Sequence, residues 1–129
     1  MNQFNNKNVS PLLLLALFIT VTTFSMNAEA AEINVYNYVK EGTLISIFCT
    51  TEKESYPTVL IAYAIGTYNR TVDVTMTCTF KWGQDSHVFD IFDPARDTCK
   101  ICVWVVRATA PCLQHSLIGA NEQCYSWKS

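Results

Sequence analysis

All six cysteines of this 129-residue chain lie downstream of residue 48, at Cys49, Cys78, Cys99, Cys102, Cys112 and Cys124. An even number of cysteines in a small exported domain reads as a disulfide framework, which six can complete in fifteen ways. That reading depends on an oxidising compartment, and the N-terminus supplies the argument for one. Lys7 precedes an apolar run from Pro11 to Phe24, and Ala28-Glu29-Ala30 then offers a small-x-small cleavage site ahead of Ala31. This order is that of a secretory signal peptide over residues 1–30. The apolar run falls short of the roughly 18 residues that span a bilayer, and no second such segment follows, so membrane insertion is not expected. Residues 31–129 then form one domain, located outside the cell. At that size a chain buries roughly 65% of its unfolded surface, and each bridge adds about 2–4 kcal/mol.

The chain has nine basic and eleven acidic side chains, a formal net charge of −2. Removing residues 1–30 takes away one of each, Lys7 and Glu29. This balance gives no electrostatic reason to bind nucleic acid.

Cys99 and Cys102 form a CxxC. Redox chemistry places such a pair at a helix N-terminus, where the dipole lowers a thiol pKa. Here Cys102-Val103-Trp104-Val105-Val106 is β-branched and aromatic, a strand pattern. Zinc needs a second ligand pair, and the other cysteines, His87 and His115 stand singly. No metal or cofactor is implied, and the six cysteines are assigned to disulfides. Cys112 and Cys124 are expected to pair, because the tail that holds them has few apolar residues. The other four leave two arrangements open: Cys49–Cys99 with Cys78–Cys102, or Cys49–Cys102 with Cys78–Cys99. A Cys99–Cys102 bridge is disfavoured, since extended strand geometry carries such close cysteines apart.

The stretch Val72–Trp82 alternates without a break, with Val72, Val74, Met76, Cys78, Phe80 and Trp82 on one face. That is a strand with one buried side. Ile33–Val39, Thr43–Cys49, Val59–Ile65, His87–Phe92 and Cys102–Ala108 are further strands, and Gln123–Trp127 a short last one. Turn signals stand at Glu41-Gly42, Gly83-Gln84-Asp85 and Asp93-Pro94. Short strands at this spacing predict an all-β fold, a small antiparallel β-sandwich stapled by disulfides.

The pattern of strands, turns and cysteines resembles the plant self-incompatibility proteins, or S-protein homologues, from about Ile33 to Trp127. The motifs that carry the resemblance are Cys78-x-Phe80-x-Trp82-Gly83, Phe89-Asp90-Ile91-Phe92, Cys99-x-x-Cys102-x-Trp104, Pro111-Cys112-Leu113 and Cys124-Tyr125-x-Trp127. Val35-x-Asn37 and Leu44 with Ile47-Phe48-Cys49 match the family's first two strands. Three positions depart from it. Phe48 stands where the family usually has His, Thr50–Ser55 replaces an Asp-Leu-Gly-like turn, and Met76-Thr77 replaces a bulky aromatic pair. The resemblance implies a secreted, disulfide-stapled sandwich that acts by protein–protein signalling and has no catalytic residue. Its founding members are stigma proteins that inhibit incompatible pollen through a pollen-side membrane protein.

The residues outside those motifs yield few other site candidates. Asp90, Asp93 and Asp97 lack the spacing and glycine of a calcium loop and read as a solvated connection. His87 and His115 read as surface histidines, and no nucleophile–base set points to an enzyme. Asn69-Arg70-Thr71 is an N-glycosylation sequon, expected in an exposed turn between strands. Asn8-Val9-Ser10 also matches but lies in the leader. Loops on a rigid scaffold carry most recognition. The expected recognition loop is Thr50–Pro57, with Glu52, Lys53 and Glu54 as its charges and Tyr56 as an aromatic anchor; the Gly83–His87 turn is the second choice. The expected partner is a cell-surface protein receptor, engaged by a monomer. The alternative is a secreted defence protein or protease inhibitor, whose rigid loop would be the segment between Cys112 and Cys124.

Overall fold

The computed structural model describes residues 29–115 and 121–129. Of the leader expected over residues 1–30, only Glu29 and Ala30 fall among them. The described residues form strands β1 (Ala31–Asn37), β2 (Ile45–Thr50), β3 (Val59–Ile61), β4 (Thr67–Val72), β5 (Met76–Trp82), β6 (Asp85–Phe92), β7 (Ile101–Val106), β8 (Pro111–Gln114) and β9 (Glu122–Cys124). Two sheets result, ordered β4-β1-β7-β8-β9 and β3-β2-β5-β6. Every pairing is antiparallel except β1 with β7.

Period-2 alternation decides what each strand buries. β1 turns Ala31, Ile33, Val35 and Asn37 inward, β2 turns Ile45, Ile47 and Cys49, and β5 turns Met76, Cys78, Phe80 and Trp82. Cys102, Trp104 and Val106 of β7, beside β1 in the first sheet, join the same core and face β2 and β5. Burial of each large aliphatic or aromatic side chain contributes about 1.5–3 kcal/mol.

The Val72–Trp82 run, which reads as one strand, is two. Val72 pairs with Ala31 in the first sheet, whereas Met76 pairs with Phe92 in the second. The chain bends at residues 73–75 to change sheets. Alternation stays in phase through this corner, so the pattern alone cannot show it. The third strand also ends early, at Ile61 rather than Ile65. Beyond it the backbone turns sharply at Ala64, whose φ is +65°.

Asn37 ties three segments together where β1 leaves its sheet. Its side-chain amide donates to Thr43 O at 2.7 Å and to Ile61 O at 3.0 Å, and its Oδ1 accepts from Val39 N at 3.0 Å. The turn expected at Glu41-Gly42 is present, closed by Thr43 N donating to Lys40 O at 3.1 Å with Gly42 at φ +78°.

The disulfides include the expected Cys112–Cys124 bridge and correct the other two. Cys49 bonds Cys78, Cys99 bonds Cys102, and Cys112 bonds Cys124. Cys49 and Cys78 are direct cross-strand partners on β2 and β5, with Cα atoms 4.0 Å apart. The two bridges so corrected would have crossed between sheets. Facing sheets lie about 10 Å apart, well beyond the roughly 7 Å limit on Cα separation in a disulfide. The Cys99–Cys102 bridge forms because Cys99 precedes β7 in irregular backbone, which brings the two Cα atoms to 5.4 Å.

The tail closes the open side of the sandwich. β9 ends at Cys124, short of the expected Trp127. Beyond it the chain crosses to β6, where Lys128 N donates to Val88 O at 2.7 Å and Val88 N donates to Ser129 O at 3.2 Å. On the way Tyr125 and Trp127 pack on Phe80, Trp82, His87, Phe89 and Trp104.

Candidate functional site

The segment Thr50–Pro57 is a tight extension of β2. Thr51 N donates to Glu54 O at 2.8 Å, and Tyr56 N donates to Cys49 O at 2.9 Å. The Thr51 hydroxyl accepts from Lys53 N and Glu54 N, both at 3.2 Å. Such a side-chain-stapled turn holds its residues in place without a core of its own. Glu52, Lys53 and Glu54 are exposed at its tip. Tyr56 differs from them. The Arg70 guanidinium lies 4.6 Å above its ring, the ring packs on the core, and its hydroxyl donates to Glu54 Oε1 at 2.9 Å. Burial first, and the Glu54 hydrogen bond second, raise the Tyr56 pKa above the usual tyrosine value. Its ring therefore braces the loop and is not free as an anchor. Beside the loop an open cleft of about 540 Å³ is lined by Thr50, Thr51, Glu52, Asp73, Val74, Thr75, Thr77 and Pro94. The second-choice turn is a two-residue connection, Gly83-Gln84, between Trp82 and Asp85. His87 is half-buried beyond it, its ring stacked on Trp127 at 4.9 Å.

Asn69 lies within β4, not in the turn expected there. Tyr68, Arg70 and Val72 point inward, which leaves Asn69 and Thr71 exposed on the outer face of an edge strand. The Asn69 amide donates to Glu32 Oε1 at 2.9 Å and to Asn34 Oδ1.

The aspartate group does not form a solvated connection. Asp97 is buried, with its side chain 1% exposed. Arg96 grips it through two bonds of 2.7 Å, from Nε to Oδ1 and from Nη2 to Oδ2. The same guanidinium lies about 5 Å from the rings of Phe89, Trp104 and Tyr125, at 4.9, 5.2 and 5.0 Å. Burial lowers the Arg96 pKa, but the Asp97 hydrogen bond and charge outweigh it, and the net shift is upward. Asp90 accepts from Thr77 Oγ1 at 2.7 Å. Asp93 N donates to Asp97 Oδ2 at 2.9 Å and Arg96 Nη2 to Asp90 O at 2.8 Å, which ties the start of the β6–β7 connection to the end of β6.

His115 is exposed, with its ring 3.1 Å from Gln123 Oε1. Arg107 bonds both carboxylate oxygens of Glu122 at 3.1 Å, and this bond is the main cause holding the Glu122 carboxyl below its usual pKa. Residues 116–120, the middle of the segment considered as an inhibitor loop, lie outside the described residues.

Two surface features had no sequence signal. At the β3–β4 connection Ile65 is 85% exposed beside the positive-φ Ala64. On the outer face of the second sheet, Ser46, Phe48, Thr58, Thr79 and Lys81 line a shallow groove.

The apolar and aromatic residues of the family motifs pack in the core and under the C-terminal tail. The family model described as plant self-incompatibility protein S1 matches residues 32–127. S-protein homolog 3 of Arabidopsis thaliana is 26% identical over 129 aligned residues, covering 90% of this chain and 85% of the relative. S-protein homolog 2 of the same plant is 35% identical over 57 residues, and S-protein homolog 5 is 34% identical over 53. Those two matches span only 35% and 38% of the relatives' lengths. A solved structure of a self-incompatibility protein homologue, from a family described as widespread, small, highly stable and secreted in plants, superposes with a TM-score of 0.58 at 16% identity. It covers 81% of this chain and 99% of its own, and so supports the fold. On the family match and the shared sandwich, this chain belongs to the plant self-incompatibility protein S1 family.

Proposed function

We propose that the protein is a secreted signalling ligand that acts by protein–protein recognition at a cell surface. Residues 1–30 direct export and are removed, and residues 31–129 act as a monomer. The observation that carries this reading is the Thr50–Pro57 loop. It is pinned by Thr51, braced by Tyr56 and Arg70, and exposes Glu52, Lys53 and Glu54. A pre-organised, charged loop on a cross-linked scaffold binds a partner with little loss of entropy. The partner is a membrane protein of the responding cell, and rejection of self pollen is the process in which founding family members act. Catalysis has no place in this reading. Asn69 carries an N-linked glycan on the outer face of the first sheet.

Alanine at Glu52, Lys53 and Glu54 together, with Tyr56 kept, should abolish the biological effect on responding cells while lowering the melting temperature only slightly, through loss of the exposed Tyr56–Glu54 hydrogen bond. Full effect in the triple variant would remove the loop from the interface. Asn69→Gln should speed the secreted protein on a gel; unchanged mobility would rule the glycan out.

A further inference from the structure

The outer face of the β3-β2-β5-β6 sheet carries groups that the core does not need. Register places Ser46 opposite Lys81, Phe48 opposite Thr79, and Leu60 opposite Ser46. Alternate residues share a face, and neighbouring strands lie about 4.8 Å apart, so these side chains form a flat grid. Ser46, Phe48, Thr58, Thr79 and Lys81 line a groove of about 220 Å³ within it. Phe48 stands 41% exposed on this face. The ion pairs of the described residues leave Lys81 out.

We infer that this groove binds an acidic oligosaccharide, a short chain of uronic acid residues. A pyranose offers an apolar C–H face and a rim of hydroxyls. The Phe48 ring matches the first. The hydroxyls of Ser46, Thr58 and Thr79, each both donor and acceptor, match the second. Lys81 supplies a point charge for the sugar carboxylate. Other occupants fit less well. An apolar protein surface would desolvate three hydroxyls and an ammonium without replacing their hydrogen bonds. A neutral sugar would leave Lys81 covered and unpaired. Nucleic acid is held through an array of cations, whereas this face offers one, enough for a single sugar carboxylate. The inference stands apart from the signalling reading, since the groove and the Thr50–Pro57 loop tip share no residue.

The test is titration of trigalacturonate into isotopically labelled protein at low salt, followed by amide shifts. Expected are saturable shifts centred on Ser46, Phe48, Thr79 and Lys81, weakened by added salt. Phe48→Ala should weaken binding about tenfold, as loss of a central anchor does. Lys81→Met should weaken it about fivefold and remove most of the salt dependence. Both positions are exposed, and retained amide dispersion checks that each variant is folded. Maltotriose should bind far more weakly, and acetate at equal charge should not saturate. The inference is overturned if trigalacturonate gives no saturable shifts, if its shifts lie elsewhere, or if maltotriose or acetate matches it. Loss of signalling in the loop variant with unchanged titration would separate the two readings.

Discussion

Two residues show where this fold departs from ordinary β-sandwich behaviour. Ala64 holds φ at +65°, and Ile65 N donates to Tyr63 O at 2.8 Å, which makes a classical γ-turn. A Cβ pays for that conformation in strain. Ala64→Gly should therefore stabilise the protein by up to about 1 kcal/mol despite glycine's greater chain entropy, read as a higher melting temperature. A lower melting temperature would mean that the turn is unstrained. Gly66, two residues on, cannot take the reverse change to alanine, because an added Cβ would lie 2.5 Å from Ala62 N. Arg96 is the second case. It neutralises the buried Asp97, so Arg96→Ala should cost about 3–5 kcal/mol by leaving an uncompensated charge. Changing both, Arg96→Met with Asp97→Leu, should recover much of that loss in urea unfolding. Additive losses would argue against the pairing.

At the scale of elements, the sequence was legible where alternation and turn residues agreed. β1, β2, β6 and β7 stand close to their expected positions, because each has β-branched or aromatic residues on one face and a turn signal nearby. It was not legible at β4. Gly66, Thr67 and the Asn69 sequon imitate a turn, while the inward set of Tyr68, Arg70 and Val72 includes a charged residue. Arg70 is tolerated there because it stacks on Tyr56 and Tyr68. The pairing expected for Cys49, Cys78, Cys99 and Cys102 failed for a related reason, since strand order within a sheet is a tertiary fact, whereas the Cys112–Cys124 pair stood as expected. The three bridges span different loops, with sequence separations of 29, 12 and 3. Loop-closure entropy then ranks them. Replacing Cys49 and Cys78 by alanine should cost about 4 kcal/mol, Cys112 and Cys124 about 3, and Cys99 and Cys102 about 2. Denaturant unfolding of the three double variants checks the order. A largest loss from the Cys99/Cys102 variant would show that this bridge acts through the native aromatic cage rather than through the unfolded chain.

For the molecule as a whole, class and family were readable and the functional surface only partly so. Cys78, Phe80, Trp82, Phe89, Trp104, Tyr125 and Trp127 carry the resemblance, and all of them pack in the core or the clasp. Such residues report the scaffold. Exposed positions are constrained by no packing rule, which is why the braced role of Tyr56 and the groove at Phe48 emerge only in three dimensions. The central claim is an exported sandwich, cross-linked within its sheets and loops, that presents those surfaces rigidly. Intact and peptide-level mass spectrometry of the secreted protein, with and without reduction, tests it most directly. The prediction is a mature start at Ala31, six protons regained on reduction, and linked peptides joining Cys49 to Cys78, Cys99 to Cys102 and Cys112 to Cys124. Retention of residues 1–30, free thiols at Cys99 and Cys102, or a bridge from Cys49 or Cys78 to the Cys99–Cys102 segment would contradict it.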